Sequence, residues 1–221
     1  MGIKLKYKVS AIQLARQLKL TATGDDIFID EVSSYDEAAI GSLCFAKEIS
    51  NSSDVTGGIV ITSKNTVPFK GVKIEAPNPR LSFVRALNVL KESPGFQESS
   101  ESAIVSVDAV VAPSATLGKG VTIGNRTVIG HNVVIYDGVS IGNDCYIKSN
   151  SVIGEDGFGF ERDEEGTPVR MQHLGSVIIG DGVEIGSLNT VCRGTLSNTI
   201  IEDNVKTDDQ VHIAHNCKLG E

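Results

Sequence analysis

The chain has no tryptophan, and aromatic side chains make up only 5% of its 221 residues. This scarcity suits a narrow core that has no room for large rings. Cysteine is also scarce, with four residues and no CxxC pair. Cys145 and Cys217 fall at small inward-facing positions of the repeat described below. We therefore expect buried free thiols in a reducing cytoplasm.

Long apolar runs and an excess of basic charge are missing too. No apolar run approaches the ~18 residues of a membrane-spanning helix, and basic residues interrupt the first twenty positions, so no signal peptide is visible. Residues 105–221 carry 8 basic and 16 acidic side chains, whereas residues 1–104 carry 12 of each. Such an acidic surface repels phosphate groups, which argues against binding to nucleic acid. We expect a cytoplasmic protein with no transmembrane segment.

The most regular feature present is a run of aliphatic residues at a spacing of six. Its nine positions are Val105, Val111, Leu117, Ile123, Ile129, Ile135, Ile141, Ile147 and Ile153. A smaller inward residue lies two positions before each, and a glycine often follows as a corner. Three such hexads close a triangular coil of ~18 residues, and stacked coils form a parallel β-helix. The spacing leaves the handedness open, although the usual rule for parallel crossovers is right-handed.

The N-terminal part has a different pattern. Helix starts are predicted at Ser10, over residues 10–19, and at Asn78-Pro79. Short apolar strands are expected between them, at residues 27–32, 43–46, 58–61 and 72–74. A polar, turn-rich segment then precedes residue 100. We predict a small α/β domain over 1–100 and a β-helix over 101–221, which is open or truncated at its C-terminal end.

The hexads are interrupted after Gly154. Residues 156–174 read as a loop from one corner, and Phe158 and Phe160 lie in it beside glycines. Loops on rigid scaffolds often bind ligands, so we interpret both rings as substrate-binding residues, with a disordered polar excursion as the alternative. A second small insertion covers residues 195–199.

Three histidines occupy corners or outward-facing positions of the repeat. Val211 and Ile213 point inward, so His212 points outward, and His215 lies on the next corner, where the core cannot hold it. His131 occupies the same phase as His215. An imidazole in a cleft between subunits is suited to general-base chemistry. A solvated polar corner residue is the alternative for each of them.

Several motifs resemble those of a known family. They are residues 208–216, which contain Ile213-Ala214-His215-Asn216, and residues 153–160, 178–186, 41–45 and 78–83. Together they are similar to the UDP-3-O-acylglucosamine N-acyltransferases of lipid A biosynthesis, within the hexapeptide-repeat acyltransferase superfamily. The resemblance covers nearly the whole chain, and the motif that contains the histidine is fairly specific.

The resemblance implies a mainly β fold, a left-handed parallel β-helix with a small N-terminal α/β domain that binds a nucleotide sugar. It implies a homotrimer that transfers a (3-hydroxy)acyl group from acyl carrier protein to the amine of a UDP-3-O-acyl-glucosamine. His215 would be the general base and Phe45 would contact the nucleotide. Asn216, next to the base, is a further substrate-binding candidate. No cofactor and no metal are implied.

The chain departs from the family pattern at several positions. Glu48 and Asn51 stand where the family usually has Asn and Tyr, and Cys192-Arg193-Gly194 stands where it reads Asp-Arg-Gly. The family also continues well past the histidine motif, whereas this chain ends six residues after His215.

Three alternative functions stay open. The first is an acetyltransferase that uses acetyl-CoA on a nucleotide aminosugar. The second is a zinc hydratase similar to γ-class carbonic anhydrases, which would use His131, although Tyr136 stands where a further histidine is expected. The third is a non-catalytic trimer that keeps only the fold.

Overall fold

The structure is a computed structural model that describes residues 2–47, 58–63 and 70–220. The chain divides into two compact units, Met1–Gln97 with Gly159–Gln172 and Glu98–Phe158 with His173–Glu221. The first unit therefore takes in a segment that lies inside the repeat region of the sequence. Glu48 and Asn51 lie outside the described residues.

The first unit contains a mixed six-stranded sheet. Its strands are β1 (Ile3–Ser10), β2 (Thr21–Thr23), β3 (Phe28–Val32), β4 (Ser42–Ala46), β5 (Ile59–Thr62) and β6 (Val72–Glu75). They lie in the order β1-β3-β4-β5-β6-β2, with parallel pairing from β3 to β6 and antiparallel pairing at both ends. The four inner strands correspond to the predicted ones. The sequence patterns missed both edge strands, the short β2 and the longer β1, in which Lys4, Lys6 and Lys8 alternate with less polar residues.

Both predicted helix starts are confirmed by their caps. Helix α1 (Ala11–Gln17) is capped by Ser10, whose Oγ accepts the Gln13 N–H at 3.0 Å. Helix α2 (Pro79–Glu92) is capped by Asn78, whose Oδ1 accepts the Leu81 N–H at 3.1 Å. The first helix ends before the predicted residue 19, and a 3-10 turn (Tyr35–Glu37) lies in the predicted loop. Within the described ranges, no helix is long and apolar enough to cross a membrane.

The expected loop after Gly154 contains an antiparallel hairpin that belongs to the first unit. Its strands are β16 (Phe160–Arg162) and β17 (Pro168–Arg170). The hairpin is anchored on α2 by polar contacts. They are Arg80–Glu161 at 3.0 Å, Arg85–Glu164 at 2.6 Å and Lys91–Gln172 at 2.6 Å. Two acidic residues of the expected loop, Glu161 and Glu164, are therefore paired with basic residues of α2.

The second unit is built from three parallel sheets. The first sheet holds β7 (Ile104–Val105), β10 (Thr122–Ile123), β13 (Ser140–Ile141), β18 (Val177–Ile179), β21 (Thr199–Ile201) and β23 (Lys218–Leu219). The second holds β8 (Val110–Val111), β11 (Val128–Ile129), β14 (Tyr146–Ile147) and β19 (Glu184–Ile185). The third holds β9 (Thr116–Leu117), β12 (Val134–Ile135), β15 (Val152–Glu155), β20 (Thr190–Cys192) and β22 (His212–Ile213). Successive strands along the chain thus go to different sheets, which is a parallel β-helix.

The register of this helix is the one that the hexads predict. Ile123 pairs with Val105 on one side and with Ile141 on the other, so one coil takes 18 residues. The isoleucines from 123 to 153 at the six-residue spacing are each at most 3% exposed. Val105 is 38% exposed in the first coil. Removing these aliphatic side chains from water is the main driving force for stacking the coils.

One core position is polar rather than aliphatic. Thr207 interrupts the hexad series, and the Asn189 side chain, which is 1% exposed, donates to its Oγ1 at 2.7 Å. Asn189 also accepts the Val211 N–H at 2.6 Å. The polar groups are thereby satisfied, as burial away from water requires. All four cysteines are free, and Cys217 is less buried than the other three.

Candidate functional site

His215 lies at a corner of the β-helix, two residues after strand β22. Ile213 points inward at 4% exposure, and its neighbour His212 is exposed on the outer face. The chain turns at Asn216, which has a φ of 61°. Asparagine tolerates this left-handed conformation better than most residues. The corner therefore presents the His215 ring, which is half-buried, beside the Asn216 amide.

The hydrogen bonds of Asn216 define which nitrogen of His215 carries a proton. Nδ1 of His215 lies 2.9 Å from Oδ1 of Asn216, and the Thr195 backbone N–H donates to the same oxygen at 3.0 Å. The Asn216 amide nitrogen donates to Ser197 Oγ at 2.8 Å. A backbone N–H is always a donor, so this oxygen is an acceptor and Nδ1 must be the donor. The neutral ring then has its lone pair on Nε2, which has no hydrogen bond within the described ranges.

The second insertion, residues 195–199, supplies most of this support. Besides the two contacts above, Thr195 Oγ1 lies 2.9 Å from Oδ1 of Asn216 and 3.4 Å from Nδ1 of His215. Thr199 Oγ1 accepts the Asn216 backbone N–H at 2.9 Å. The amide of Asn216, which the sequence suggests as a substrate contact, is thus engaged by its own chain, in a geometry that orients the histidine.

A second histidine, which the sequence patterns did not single out, lies against the first. His173 is 4% exposed, and its ring centroid is 5.0 Å from that of His215, with an edge-on angle of 68°. Gly157 lies close to both rings. A Cβ atom added there would come within 2.9 Å of His215 Cδ2 and 3.0 Å of His173 Nε2. The available sequence signal was a glycine near the start and a histidine near the end of the interruption at residues 156–174.

Nearby, the Cys192-Arg193 pair has a structural role. Arg193 donates to the backbone carbonyls of Gly154 at 2.8 Å and Asp137 at 2.7 Å, so it ties adjacent coils together. Burial, and then the negative charges of Glu155 and Asp156, raise the pKa of the Cys192 thiol. A buried thiol with a raised pKa is a poor nucleophile.

The remaining predicted site residues are divided between the two units. Phe45 and Phe160 belong to the first unit, and Phe158, which is 88% exposed, belongs to the second. Phe45 packs at 5.0 Å from Phe83, and the Arg170 guanidinium lies 4.8 Å from the centre of the Phe160 ring. Among the predicted site residues, His215 and Asn216 are in mutual contact, with Nδ1 of the histidine 2.9 Å from Oδ1 of the amide.

Phe45 lines an open pocket in the first unit, together with Lys47, Ser63 and Arg80. Its other lining residues are Pro77, Asn78 and Pro79. Two cationic side chains beside an aromatic ring are suited to a ligand that combines a planar ring with anionic groups.

The other two histidines make few contacts. His131 is exposed, and its Nδ1 lies 3.0 Å from Ser114 Oγ. The Tyr136 hydroxyl, which stands where a zinc hydratase would have a ligand, is hydrogen-bonded to Glu155, and this raises the pKa of Tyr136. In the described part of the chain, no group of three or more His, Cys, Asp or Glu side chains is placed to hold a metal ion.

The known proteins to which this chain is similar are transferases. Residues 120–155 match the family described as "Bacterial transferase hexapeptide (six repeats)". A segment of 87 residues, 39% of the chain, is 48% identical to the UDP-3-O-acylglucosamine N-acyltransferase of Chromohalobacter salexigens. A segment of 80 residues, 36% of the chain, is 52% identical to the protein of that name from Pseudoalteromonas translucida. The matched segments are therefore homologous to parts of those acyltransferases and carry the hexapeptide repeat.

The homology confirms the predicted fold class for the second unit, a left-handed parallel β-helix of hexapeptide repeats. The matched segments span 25% and 23% of the length of the two relatives. Among solved structures, the Francisella novicida UDP-N-acetylglucosamine acyltransferase is 30% identical over 54% of this chain and 44% of that one. The TM-score between the two structures is 0.29, which is too low to show that they share an overall arrangement.

Proposed function

We propose that this homologue is an N-acyltransferase that moves a (3-hydroxy)acyl group from an acyl carrier protein thioester to the amine of a UDP-3-O-acyl-glucosamine. The observation that carries the proposal is the geometry of His215. Its Nδ1 is held by Asn216, so Nε2 is the basic nitrogen, and it has no hydrogen bond in the described residues. The names of the relatives support the substrate class.

The chemistry follows from the role of a neutral imidazole. The amine nitrogen attacks the carbonyl carbon of the thioester, a C–N bond forms, and the C–S bond breaks. Nε2 of His215 takes the proton that the amine loses and delivers it to the departing sulfur, so a free thiol is released. The Nδ1–H bond to Asn216 stabilises the imidazolium that exists between these two transfers.

The UDP group of the acceptor would bind in the pocket of the first unit. Phe45 would stack on the base, as the family resemblance implies, while Lys47 and Arg80 attract the diphosphate. Arg80 is also paired with Glu161 at 3.0 Å, so diphosphate would compete with a carboxylate for this cation. Phe158, in the second unit, and Phe160, in the first, are proposed to contact the acyl chain or the sugar.

A homotrimer in the cytoplasm is part of the proposal. His215 lies on an exposed corner that offers a single positioned base, and a neighbouring chain would supply the other wall of the cleft. Acyl carrier protein is the proposed donor, and acyl-CoA is the alternative. Residues 105–221 are acidic, and this charge would favour whichever donor is less acidic at its contact surface.

The test is the release of free thiol from a panel of acyl carrier protein and CoA thioesters in the presence of UDP-amino sugars. His215→Ala should lower kcat by about 10²–10⁴ with little change in KM, because a positioned base is lost while substrate contacts remain. His131→Ala is the matched control, since it changes an exposed corner histidine. Wild-type turnover by the His215→Ala chain would rule out the assignment of this residue, and sedimentation of the chain only as a monomer would rule out the trimer.

A further inference from the structure

The second unit contains a buried histidine, His173, that has no role in the proposed chemistry. It lies edge-on to the base, with 5.0 Å between the ring centroids. At 4% exposure it is enclosed by protein, whereas the His215 ring is half open to solvent. An enclosed side chain has few alternative rotamers, so it can hold an exposed neighbour in place.

His215 needs such a support, because hydrogen bonds hold only one edge of its ring. Asn216 and Thr195 fix the position of Nδ1, at 2.9 and 3.4 Å. Rotation of the ring about the axis from Nδ1 to Oδ1 of Asn216 would still turn Nε2 away from the side on which the substrate would bind. Gly157 lies beside His215, where an added Cβ would come within 3.0 Å of Cδ2 and Cβ, and His173 lies beside the ring. These two contacts restrict the remaining rotation.

We propose that His173 is a positioning residue for the base: its ring holds the imidazole of His215 in the orientation that keeps Nδ1 on Asn216 and directs Nε2 outward. His173 touches no substrate in this scheme and acts only through His215. As far as turnover is concerned, the inference rests on the proposed function. Its structural content does not, because the orientation and tautomer of His215 exist without substrate.

The first experiment reads the His215 ring directly by NMR. The chain has four histidines, so ¹⁵N-labelled imidazoles can be assigned by single substitutions. In the wild-type chain, two-bond ¹H–¹⁵N correlations should show His215 in a single form with the proton on Nδ1. His173→Ala should produce a mixture of tautomers or broadened His215 signals. His131→Ala, the matched control, should leave the His215 signals unchanged.

His173→Phe separates ring packing from folding. The phenyl ring keeps the edge-on contact and removes the nitrogens, so this variant should fold and retain the Nδ1–H form of His215. A His173→Phe chain that melts like the wild type but loses that form would contradict the proposal. The same conclusion would follow if His173→Ala melted normally and left the His215 signals as they are.

Kinetics give the second readout. A reactive group that is misplaced by about 1 Å can cost a factor of 10² in rate. His173→Ala should therefore lower kcat by about 10- to 100-fold with KM within about threefold, and His173→Phe should restore kcat to within about threefold of wild type. A drop in kcat with unchanged His215 signals would overturn a role through His215. If the wild-type chain transfers no acyl group at all, the proposed function fails, and the NMR comparison still decides whether His173 positions the ring.

Discussion

Gly157→Ala should displace the proposed base without disturbing the rest of the fold. The added Cβ would lie 2.9 Å from His215 Cδ2 and 3.0 Å from His215 Cβ. Favourable carbon–carbon contacts lie at about 3.5–4.0 Å, so the shortfall is roughly 0.6 Å or more. His173 Nε2, at 3.0 Å from the same Cβ, closes the other side. The easier movement is therefore that of the half-buried His215 ring.

A displacement of this size is close to the 1 Å that costs about 10² in rate. We expect Gly157→Ala to lower kcat by about 10- to 100-fold, measured by thiol release at saturating acyl donor. The change in KM should stay within about twofold, because no substrate contact is removed.

The control is Gly166→Ala, in the hairpin between β16 and β17. A Cβ there meets nothing within 4 Å. Gly166 has a φ of +85°, so alanine there carries local backbone strain of about 1–2 kcal/mol. This strain lies in the first unit, whereas His173 and His215 belong to the second. It should leave kcat unchanged. Wild-type kcat in a folded Gly157→Ala chain would refute the reasoning, since the contact would then have no influence on the position of His215.

Two further predictions concern stability. Ile179→Ala should destabilise the β-helix by about 2–5 kcal/mol, because this inward residue is 2% exposed. Ile178→Ala should destabilise it much less, because this outward neighbour is 40% exposed. Equal shifts of the urea midpoint for the two variants would contradict the register. Burial alone would raise the pKa of Glu31, but hydrogen bonds from Lys4 and Ser42 hold that pKa below its usual value. Glu31→Gln should therefore lower the urea midpoint at pH 7, and the gap to wild type should shrink as the pH falls below about 4.3; a gap that does not change with pH would exclude this carboxylate as its source.

The stacking register was readable from the sequence because it is a local property. In a β-helix, each hexad repeats the same short strand and corner, so the inward positions from Ile123 to Ile153 follow from spacing alone. Helix caps are equally local, and the bonds of Ser10 and Asn78 join residues three apart in the chain. Handedness is different, because a spacing of six fits a coil of either hand, and it came from homology.

The hairpin shows where local patterns fail. Its charged run, Glu161 to Glu165, reads as part of a solvated loop, since the sequence does not show which distant residues it meets. In the structure, Glu161 and Glu164 are paired with Arg80 and Arg85, about eighty residues earlier. Such pairing depends on the path of the chain, which composition and periodicity do not specify.

The candidate site divides in the same way. His215 was identifiable, because its phase in the hexad puts it at a corner that the core cannot hold. Its supports were not, because Thr195, His173 and Gly157 come from other segments of the chain, 20 to 58 residues away in sequence. Two insertions of unequal length separate the coils here, so the residues that meet the ring depend on how each insertion folds. Only the packed structure could decide that a second imidazole and a glycine lie against the proposed base.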